Sequence, residues 1–183
     1  MVTPDLSLAA PISTERLDLV LLTAAWLRGY VEGGSLPELG FTDPDGFLSG
    51  ADHVVGLRIA QLESDPTQEP WLLRAIVLRE SVTAVGYVNF HAPPDDRGMV
   101  EIGYQVLPAY RRGRCATEAA QGMWDWAARH GARVLRASIA PDNFPSLALV
   151  RRAGFVPVGE QIDQIDGLEL IFEKPVEPDA ANL

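Results

Sequence analysis

The stretch VEIGYQVLPAYRRGRCATEAA, from Val100 to Ala120, decides the fold of this chain. Apolar and polar side chains alternate from Val100 to Leu107, which predicts a strand with one face against a core. Pro108 then ends the strand. After a short basic turn, apolar residues recur at helical spacing from Ala116 to Ala127, so a helix is predicted to begin at the turn itself. The stretch therefore predicts a strand, a basic turn that contains a glycine, and a helix.

The basic turn has the features of an anion site, most naturally for a phosphate. The first turn of a helix carries unpaired backbone N–H groups and a partial positive charge. Here Arg111, Arg112 and Arg114 add three guanidinium groups. The lysine and hydroxyl of the GxxxxGKS or GxxxxGKT loop of nucleoside triphosphatases are absent, as is the GxGxxG pattern of dinucleotide-binding folds. The turn is thus predicted to bind a diphosphate of another kind.

Length and composition predict one globular domain over residues 1–183, with residues 1–11 and 175–183 as mobile tails. Hydrophobic residues make up 47% of the chain and charged residues 22%, which is ordinary for such a domain. The formal net charge of -10 argues against a nucleic-acid partner and favours a cationic one, such as an amine. Because the chain is acidic overall, three arginines in one turn are stronger evidence for an anion site.

Cysteine and hydropathy patterns set further limits on the class of protein. The single cysteine, Cys115, excludes an internal disulfide, and no Cys/His spacing predicts a metal site. There is no leading apolar run and no apolar stretch of about 18 residues. We therefore expect a cytoplasmic protein with no membrane partner and no metal.

The rest of the chain alternates between short strands and helices, which predicts an α/β (α+β) fold with several antiparallel neighbours. Thr23 is the expected cap of the first helix. Further strands are predicted at residues 12–22, 71–78, 84–91, 133–139, from 154, and at 167–173. Further helices are predicted at residues 24–31, 51–62 and 143–152.

A second segment, SIAPDNFPSLALVRRAGFVPVGE from Ser138 to Glu160, has a distinctive order of elements. A strand ends, Asn143 and Ser146 stand at the start of a helix, and Gly154 with Phe155 opens the next strand. Together with PAYRRGRCATEA and the opening TERLDLVLLT, it resembles the GNAT superfamily of N-acetyltransferases. The resemblance is to the branch that includes the ribosomal-protein N-terminal acetyltransferases.

This resemblance implies a mixed, mostly antiparallel central sheet that is splayed at its centre and flanked by helices. It also implies acetyl-coenzyme A (acetyl-CoA) as co-substrate, with its pyrophosphate at the basic turn. In the family pattern R/Q-x-x-G-x-G/A, Arg111 takes the first position and Ala116 the last. Arg114 stands where glycine is usual and Gly113 one place early, which the loop is expected to tolerate only with an ordinary helical backbone at Arg114. The residues implied in cofactor binding are Val106, Leu107, Arg111, Arg112, Gly113, Arg114, Cys115, Ala116, Thr117, Asn143 and Ser146.

The implied reaction needs a base, because a primary amine with a pKa of about 10 is protonated at pH 7. Glu101, on the central strand, is the predicted catalytic base, acting directly or through an ordered water. The alternative is a glutamate on the polar face of a strand that merely pairs with an arginine. The three histidines are isolated in the sequence, and His91, at a strand end, is predicted as a pocket wall.

The leaving thiolate needs a proton or a hydrogen bond, which relatives supply from a tyrosine or a serine. No tyrosine occurs between Phe144 and Arg152, so Ser146 is the predicted second catalytic residue, as a hydrogen-bond donor to the sulfur. Alternatively, Ser146 caps the helix. Asn143 bonds the pantetheine arm, caps the helix, or does both. A backbone N–H near Val106, where relatives have a bulge, is expected to polarise the thioester carbonyl.

The acceptor implied by the resemblance is a protein N-terminal α-amine or a small-molecule amine, attacked directly in a ternary complex. A homodimer is common in such proteins. The alternative function is a catalytically silent coenzyme A binding or sensing module. The observation in its favour is that Arg114 replaces the glycine of the family pattern. An acetyl relay on Cys115 is disfavoured, because the family transfers the acetyl group directly.

Overall fold

The computed structural model describes residues 6–34, 36, 38–165 and 167–177, and eight strands lie within these ranges. The strands are β1 (Ile12–Ser13), β2 (Leu17–Leu21), β3 (Arg74–Leu78), β4 (Thr83–Phe90), β5 (Met99–Val106), β6 (Val134–Ile139), β7 (Val156–Asp163) and β8 (Gly167–Pro175). The helices are α1 (Leu6–Ala9), α2 (Ala24–Glu32), α3 (Asp52–Ser64), α4 (Cys115–Arg129) and α5 (Phe144–Arg152). Short 3-10 helices occupy Pro66–Trp71 and Pro108–Tyr110.

The strands form one sheet in the order β1-β2-β3-β4-β5-β6-β8-β7, and β5 with β6 is its parallel pair. These two strands pair only at Met99–Glu101 with Val134–Arg136. Beyond that point β5 stays with β4, and β6 stays with β8. The sheet therefore opens at its centre, and the predicted splayed, mostly antiparallel sheet is confirmed.

The bulge expected near Val106 is absent from the β4–β5 ladder, which keeps a regular register from Gly86 to Phe90. The irregularity lies in the neighbouring β3–β4 ladder. Ile76 pairs with Gly86 and Val77 pairs with Ala84, so Val85 of β4 is an extra residue between the two pairs. Next to it, a Cβ on Gly86 would collide with the main chain of β5, so only glycine fits. Splaying here results from the short β5–β6 ladder and not from a bulge in β5.

Each face of the sheet carries its own hydrophobic core. Helices α4 and α5 pack on one face, with Trp124 and Trp126 of α4 inside the core. Helices α2 and α3 cover the other face, and Trp26, Phe47 and Tyr87 are buried there. Thr23 caps α2 by accepting a hydrogen bond from the N–H of Trp26 at 3.3 Å, which confirms the predicted cap.

Some predicted boundaries differ from those observed. The strand predicted over residues 12–22 is the hairpin β1–β2, because Thr14 N–H donates to Leu17 O at 2.8 Å and closes a turn. The predicted tails lie partly outside the described residues, which exclude 1–5 and 178–183. Within the first tail, the buried Arg74 donates to the carbonyl oxygens of Leu8 and Ala10. Of the described helices, none is both long and apolar enough to span a membrane.

Candidate active site

A cleft of about 850 Å³ lies between the unpaired half of β5 and helices α4 and α5. It follows directly from the opening of the sheet, because β5 has no partner on the β6 side beyond Glu101 within the described ladder. The lining residues are Tyr104, Val106, Tyr110, Arg111, Arg112, Arg114, Cys115, Ala116, Thr117, Gln121, Trp124, Pro145, Ser146, Ala148, Leu149, Arg152 and Ala153.

Main-chain groups of β5 alternate between the neighbouring strand and the cleft. Glu101 and Leu107 bond the β4 side through their carbonyl and amide groups. In an antiparallel ladder successive residues bond to alternate sides, so the main-chain groups of Tyr104 and Val106, an odd number of positions from Glu101 and Leu107, face the gap. The Val106 carbonyl accepts a hydrogen bond from Arg111 Nε at 3.0 Å. By the alternation of the ladder, the Val106 N–H also faces the gap. This is the amide that the sequence predicted for the thioester carbonyl.

The basic turn has a strained backbone. Arg112 and Arg114 adopt φ values of 68° and 62°, in the left-handed region, whereas Gly113 does not. The expectation of an ordinary helical conformation at Arg114 is therefore wrong. A left-handed residue followed by a helical one, as at Arg114 and Cys115, turns successive N–H groups toward one side and forms an anion-binding nest. The glycine usual at this position in relatives is explained by the same conformation.

The start of α4 is a helix terminus without a cap. Arg114 is the residue before the helix, and its side chain makes no capping hydrogen bond. The N–H groups of the first turn, next to Ala116 and Thr117 in the cleft wall, therefore need another acceptor. With the arginines beside it, this terminus suits a diphosphate. Burial raises the pKa of the Cys115 thiol, so that side chain stays neutral and offers no thiolate.

The turn is held in place by a contact with the first hairpin. The Glu118 carboxylate accepts hydrogen bonds from Thr14 Oγ1 at 2.6 Å, Arg16 N at 2.7 Å and Arg16 Nε at 2.8 Å. Arg16 also donates to the Gly113 carbonyl at 3.0 Å. Although burial of Glu118 acts in the opposite direction, these hydrogen bonds lower the pKa of its carboxyl group. We call this set, Thr14, Arg16, Gly113 and Glu118, the hairpin latch.

The start of α5 forms the facing wall of the cleft. Asn143 caps the helix by accepting a hydrogen bond from Ser146 N–H at 3.3 Å, which is one of the two predicted roles of this asparagine. The Ser146 hydroxyl is not that cap and lies in the cleft wall. Leu107 is buried in the core beneath α2 and α3, and Gly113 belongs to the hairpin latch. Neither lines the cleft, and their contacts with a cofactor stay predictions.

Glu101 lies apart from the cleft lining, beside polar side chains of β4 and β6. Its Oε1 accepts a hydrogen bond from Ser138 Oγ at 2.5 Å and lies 4.0 Å from His91 Nδ1. Its side chain keeps 15% of its surface exposed. Its ladder partner Arg136 pairs instead with Glu173 at 2.6 Å, so the arginine pairing considered as an alternative for Glu101 is not the observed arrangement.

His91 stands above Gly103, where a Cβ would press on the His91 ring and on the Asn89 amide. Half of its side chain surface is exposed. Burial of the ring and the charge of Arg58 lower the pKa of His91, against the opposing effects of Glu101 and Asp163. The imidazole is therefore neutral at pH 7 and able to accept a proton. We call Glu101, His91 and Ser138 the acceptor-side triad.

Comparison with known proteins identifies this arrangement. The family model described as an acetyltransferase (GNAT) domain matches residues 48–156, more than half of the chain. This chain belongs to the GNAT acetyltransferases. An uncharacterized N-acetyltransferase of Bacillus subtilis, YjdG, is 33% identical over 148 residues, which cover 78% of this acetyltransferase and 84% of the relative.

Solved structures show the same fold. A putative ribosomal-protein-serine acetyltransferase from Vibrio cholerae superposes with a TM-score of 0.63 at 21% identity, over 96% of this chain and 100% of that one. The microcin C7 self-immunity acetyltransferase MccE, solved with acetyl-CoA and AMP, superposes with a TM-score of 0.61 at 14% identity, over 89% and 94% of the two chains. The predicted family, fold class and acetyl-CoA-dependent enzyme type are thus confirmed.

The cleft of this acetyltransferase fits acetyl-CoA, the co-substrate that its family uses. An uncapped helix start with arginines suits the pyrophosphate, and the Val106 amide suits a carbonyl oxygen. Sequence patterns missed Tyr104 and Arg152 in the cleft wall. Tyr104 belongs to the apolar set of the β5 alternation and was read as core, while Arg152 is exposed at the end of a helix, where arginine is common.

Proposed function

We propose that this acetyltransferase moves the acetyl group of acetyl-CoA to a primary amine by direct attack in a ternary complex. The observation that carries the proposal is the placement of two different sets of side chains about one opening in the sheet. The cleft between β5, α4 and α5 takes the donor. The acceptor-side triad, at the point where β5 and β6 part, receives the amine.

The donor is held from its pyrophosphate to its thioester. The nest at Arg114 and the free N–H groups of α4 bind the pyrophosphate, and Arg112 and Arg152 add positive charge at the rim. The pantetheine arm follows the unpaired edge of β5, toward the Asn143 cap and Ser146 of α5. The Val106 N–H donates to the thioester carbonyl and stabilises negative charge that develops on its oxygen.

The amine loses its proton to Glu101, directly or through one water. A carboxylate that already accepts a hydrogen bond from Ser138 has one oxygen fixed, which orients the other for the incoming amine. The neutral His91 beside it is a second proton acceptor and passes the proton to solvent through its exposed side. Neither Glu101 nor His91 lines the donor cleft, so the proton leaves by a route separate from the acetyl donor.

The acceptor is a protein N-terminal α-amine or a small cationic amine. The carboxylate of Glu101 and the net charge of -10 favour a positively charged acceptor. Likeness to the Vibrio cholerae protein concerns the fold, so the choice between the two acceptors rests with experiment. The cytoplasmic location and the homodimer stay predictions.

A coenzyme A sensing module without turnover is the second candidate, and the strained arginines at the turn are the observation that favours it. A sensing module has no amine to deprotonate and does not need the acceptor-side triad. The presence of this triad therefore favours the enzyme.

The test is calorimetric titration with acetyl-CoA, followed by thiol release with a panel of amines and short peptides. Binding with release for one acceptor class supports the enzyme. Binding without release supports the sensing module, and no binding contradicts both. Arg112→Ala is expected to weaken acetyl-CoA binding several-fold, whereas Arg28→Ala, on α2 outside the cleft, is the matched control and keeps the wild-type affinity.

A further inference from the structure

A buried arginine on α3 has no carboxylate beside it. Arg58 is only 8% exposed, and its hydrogen bonds all go to uncharged acceptors. Its Nε donates to Asn89 Oδ1 at 3.3 Å, and its Nη1 donates to Gln61 Oε1 at 2.9 Å and to the His91 carbonyl at 3.2 Å. Among the described residues, no ion pair includes Arg58. A guanidinium held away from water without a negative partner is costly, so it calls for an anion.

Arg58 keeps its positive charge in this position. Burial lowers the pKa of its guanidinium, and the nearby Tyr87 acts in the opposite direction. Because the ordinary pKa of arginine lies far above 7, the group is still charged at neutral pH. Hydrogen bonds to two amides and a carbonyl do not require this charge, since a neutral amide donor makes the same bonds. The charge therefore needs an explanation beyond the contacts that hold the side chain.

The guanidinium lies next to the acceptor-side triad. Its Nη1 bonds the main chain of His91, and the His91 ring lies 4.0 Å from Glu101 Oε1. Asn89, which accepts from Arg58, donates in turn to the carbonyl of Gly103, two residues along β5 from Glu101, at 3.1 Å. Half of the His91 side chain surface is exposed, so solvent reaches this part of the molecule. A fixed positive group and the proposed base therefore flank one residue, His91.

We propose that Arg58 binds a carboxylate of the acceptor, so that the acceptor is an amine with a carboxylate close to its amino group. The inference rests on the proposed function and narrows its acceptor. Glu101 receives the amine end. The carboxylate end accepts from Arg58 Nη2, which makes no hydrogen bond to a described residue. Free α-amino acids have this chemistry, and so do peptide N-termini that are followed by an acidic residue.

The first experiment measures thiol release from acetyl-CoA with matched acceptors. The acceptors are the common L-amino acids, their α-carboxamides, and dipeptide amides with aspartate or asparagine in the second place. The carboxylate form should exceed its matched amide in kcat/KM by about tenfold or more, the effect of one charge-assisted hydrogen bond. A preference among the amino acids assigns the carboxylate to a small molecule, and a preference among the dipeptides assigns it to a peptide. Equal values for carboxylates and amides overturn the inference.

Arg58→Gln separates recognition of the carboxylate from a structural role. Glutamine keeps an amide donor but has no charge. The variant should lose about tenfold in kcat/KM for the carboxylate acceptor and change little for the amide, whereas a structural role lowers both values alike. Arg28→Gln, on α2 with about half of its side chain exposed, is the control and keeps the wild-type ratio. If Arg58→Gln does not fold, the ratio of the wild type decides by itself.

A binding measurement distinguishes failure of this inference from failure of the proposed function. Protein saturated with coenzyme A is titrated calorimetrically with the same amino acids, dipeptides and amides. Tighter binding of the carboxylate forms, lost in Arg58→Gln, supports the carboxylate site. That result stands even if the wild type releases no thiol, an outcome that overturns the proposed function alone. Equal affinity for carboxylates and amides overturns the role of Arg58.

Discussion

The Ser138 hydroxyl donates a hydrogen bond of 2.5 Å to Glu101, across the point at which β5 and β6 part. The two residues lie on different strands whose ladder ends at Glu101 and Arg136. One carboxylate oxygen is thereby fixed at the opening of the sheet, next to His91. This geometry makes Glu101 a base that is oriented before the acceptor binds.

Replacement of this base should slow the reaction in a pH-dependent way. Glu101→Gln is expected to lower kcat by about tenfold or more at pH 7, and by less at high pH, where more amine is already neutral. The measurement is kcat from pH 6 to pH 10. Glu160→Gln, exposed on β7, is the control. A pH profile of the Glu101→Gln variant that matches the wild type would contradict the role of Glu101 as the catalytic base.

His91 should make the folded state sensitive to acid. Its folded-state pKa is lowered by burial and by Arg58, with Glu101 and Asp163 opposing. The unfolded chain therefore binds more protons below a pH of about 6.5, and stability present above that pH is lost as pH falls through the folded pKa.

Urea unfolding at pH 5 and pH 7 measures this effect. His91→Gln is expected to reduce the difference in the free energy of unfolding between the two pH values. His53→Gln, on the exposed side of α3, should keep the wild-type difference. An equal difference in all three proteins would show that His91 is not the responsible group.

Replacement of the strained Arg114 should change the free energy of unfolding and the affinity for acetyl-CoA in opposite directions. Arg114→Gly removes a left-handed non-glycine residue and is expected to raise the free energy of unfolding by about 1 kcal/mol, less the entropy that glycine adds to the unfolded chain. The same change removes a charge from the anion site, so acetyl-CoA affinity should fall several-fold.

Urea unfolding and calorimetry test both effects on the same preparation. Arg111 has an ordinary φ of -67° and donates to the Val106 carbonyl, so Arg111→Gly, the control, relieves no strain and should destabilise the protein. Destabilisation by Arg114→Gly equal to that of the control would contradict the strain.

The hairpin latch should couple the first hairpin to cofactor binding. Glu118→Gln is expected to cost about 1 to 3 kcal/mol in the free energy of unfolding, because it weakens several hydrogen bonds to a largely buried carboxylate. Acetyl-CoA affinity should fall with it. Since about half of the Arg16 side chain is exposed, its ion pair contributes only a small part.

A double-variant cycle with Arg16→Ala measures the latch directly. The loss in the double variant should be smaller than the sum of the two single losses, because both variants break the same contacts. Additive losses would mean that the two residues act independently.

Patterns along the chain predicted the local elements of this acetyltransferase well. The alternation from Val100 and the helical spacing after the turn located β5 and α4 within one or two residues. Asn143 was correctly predicted as a cap, although its bond with pantetheine stays a prediction. Such features depend on residues that are close in sequence, so their cause is visible in the sequence alone.

Only the tertiary structure decided the arrangement of the site. The hairpin latch joins Thr14 to Glu118 across 104 positions, and Ser138 reaches Glu101 across 37. Tyr104 has the pattern of a core residue and lies in the cleft wall because β5 loses its partner beyond Glu101. Periodicity indicates which side of a strand is apolar, but the partner that covers that side depends on elements distant in the chain, and their packing placed these side chains about one opening in the sheet.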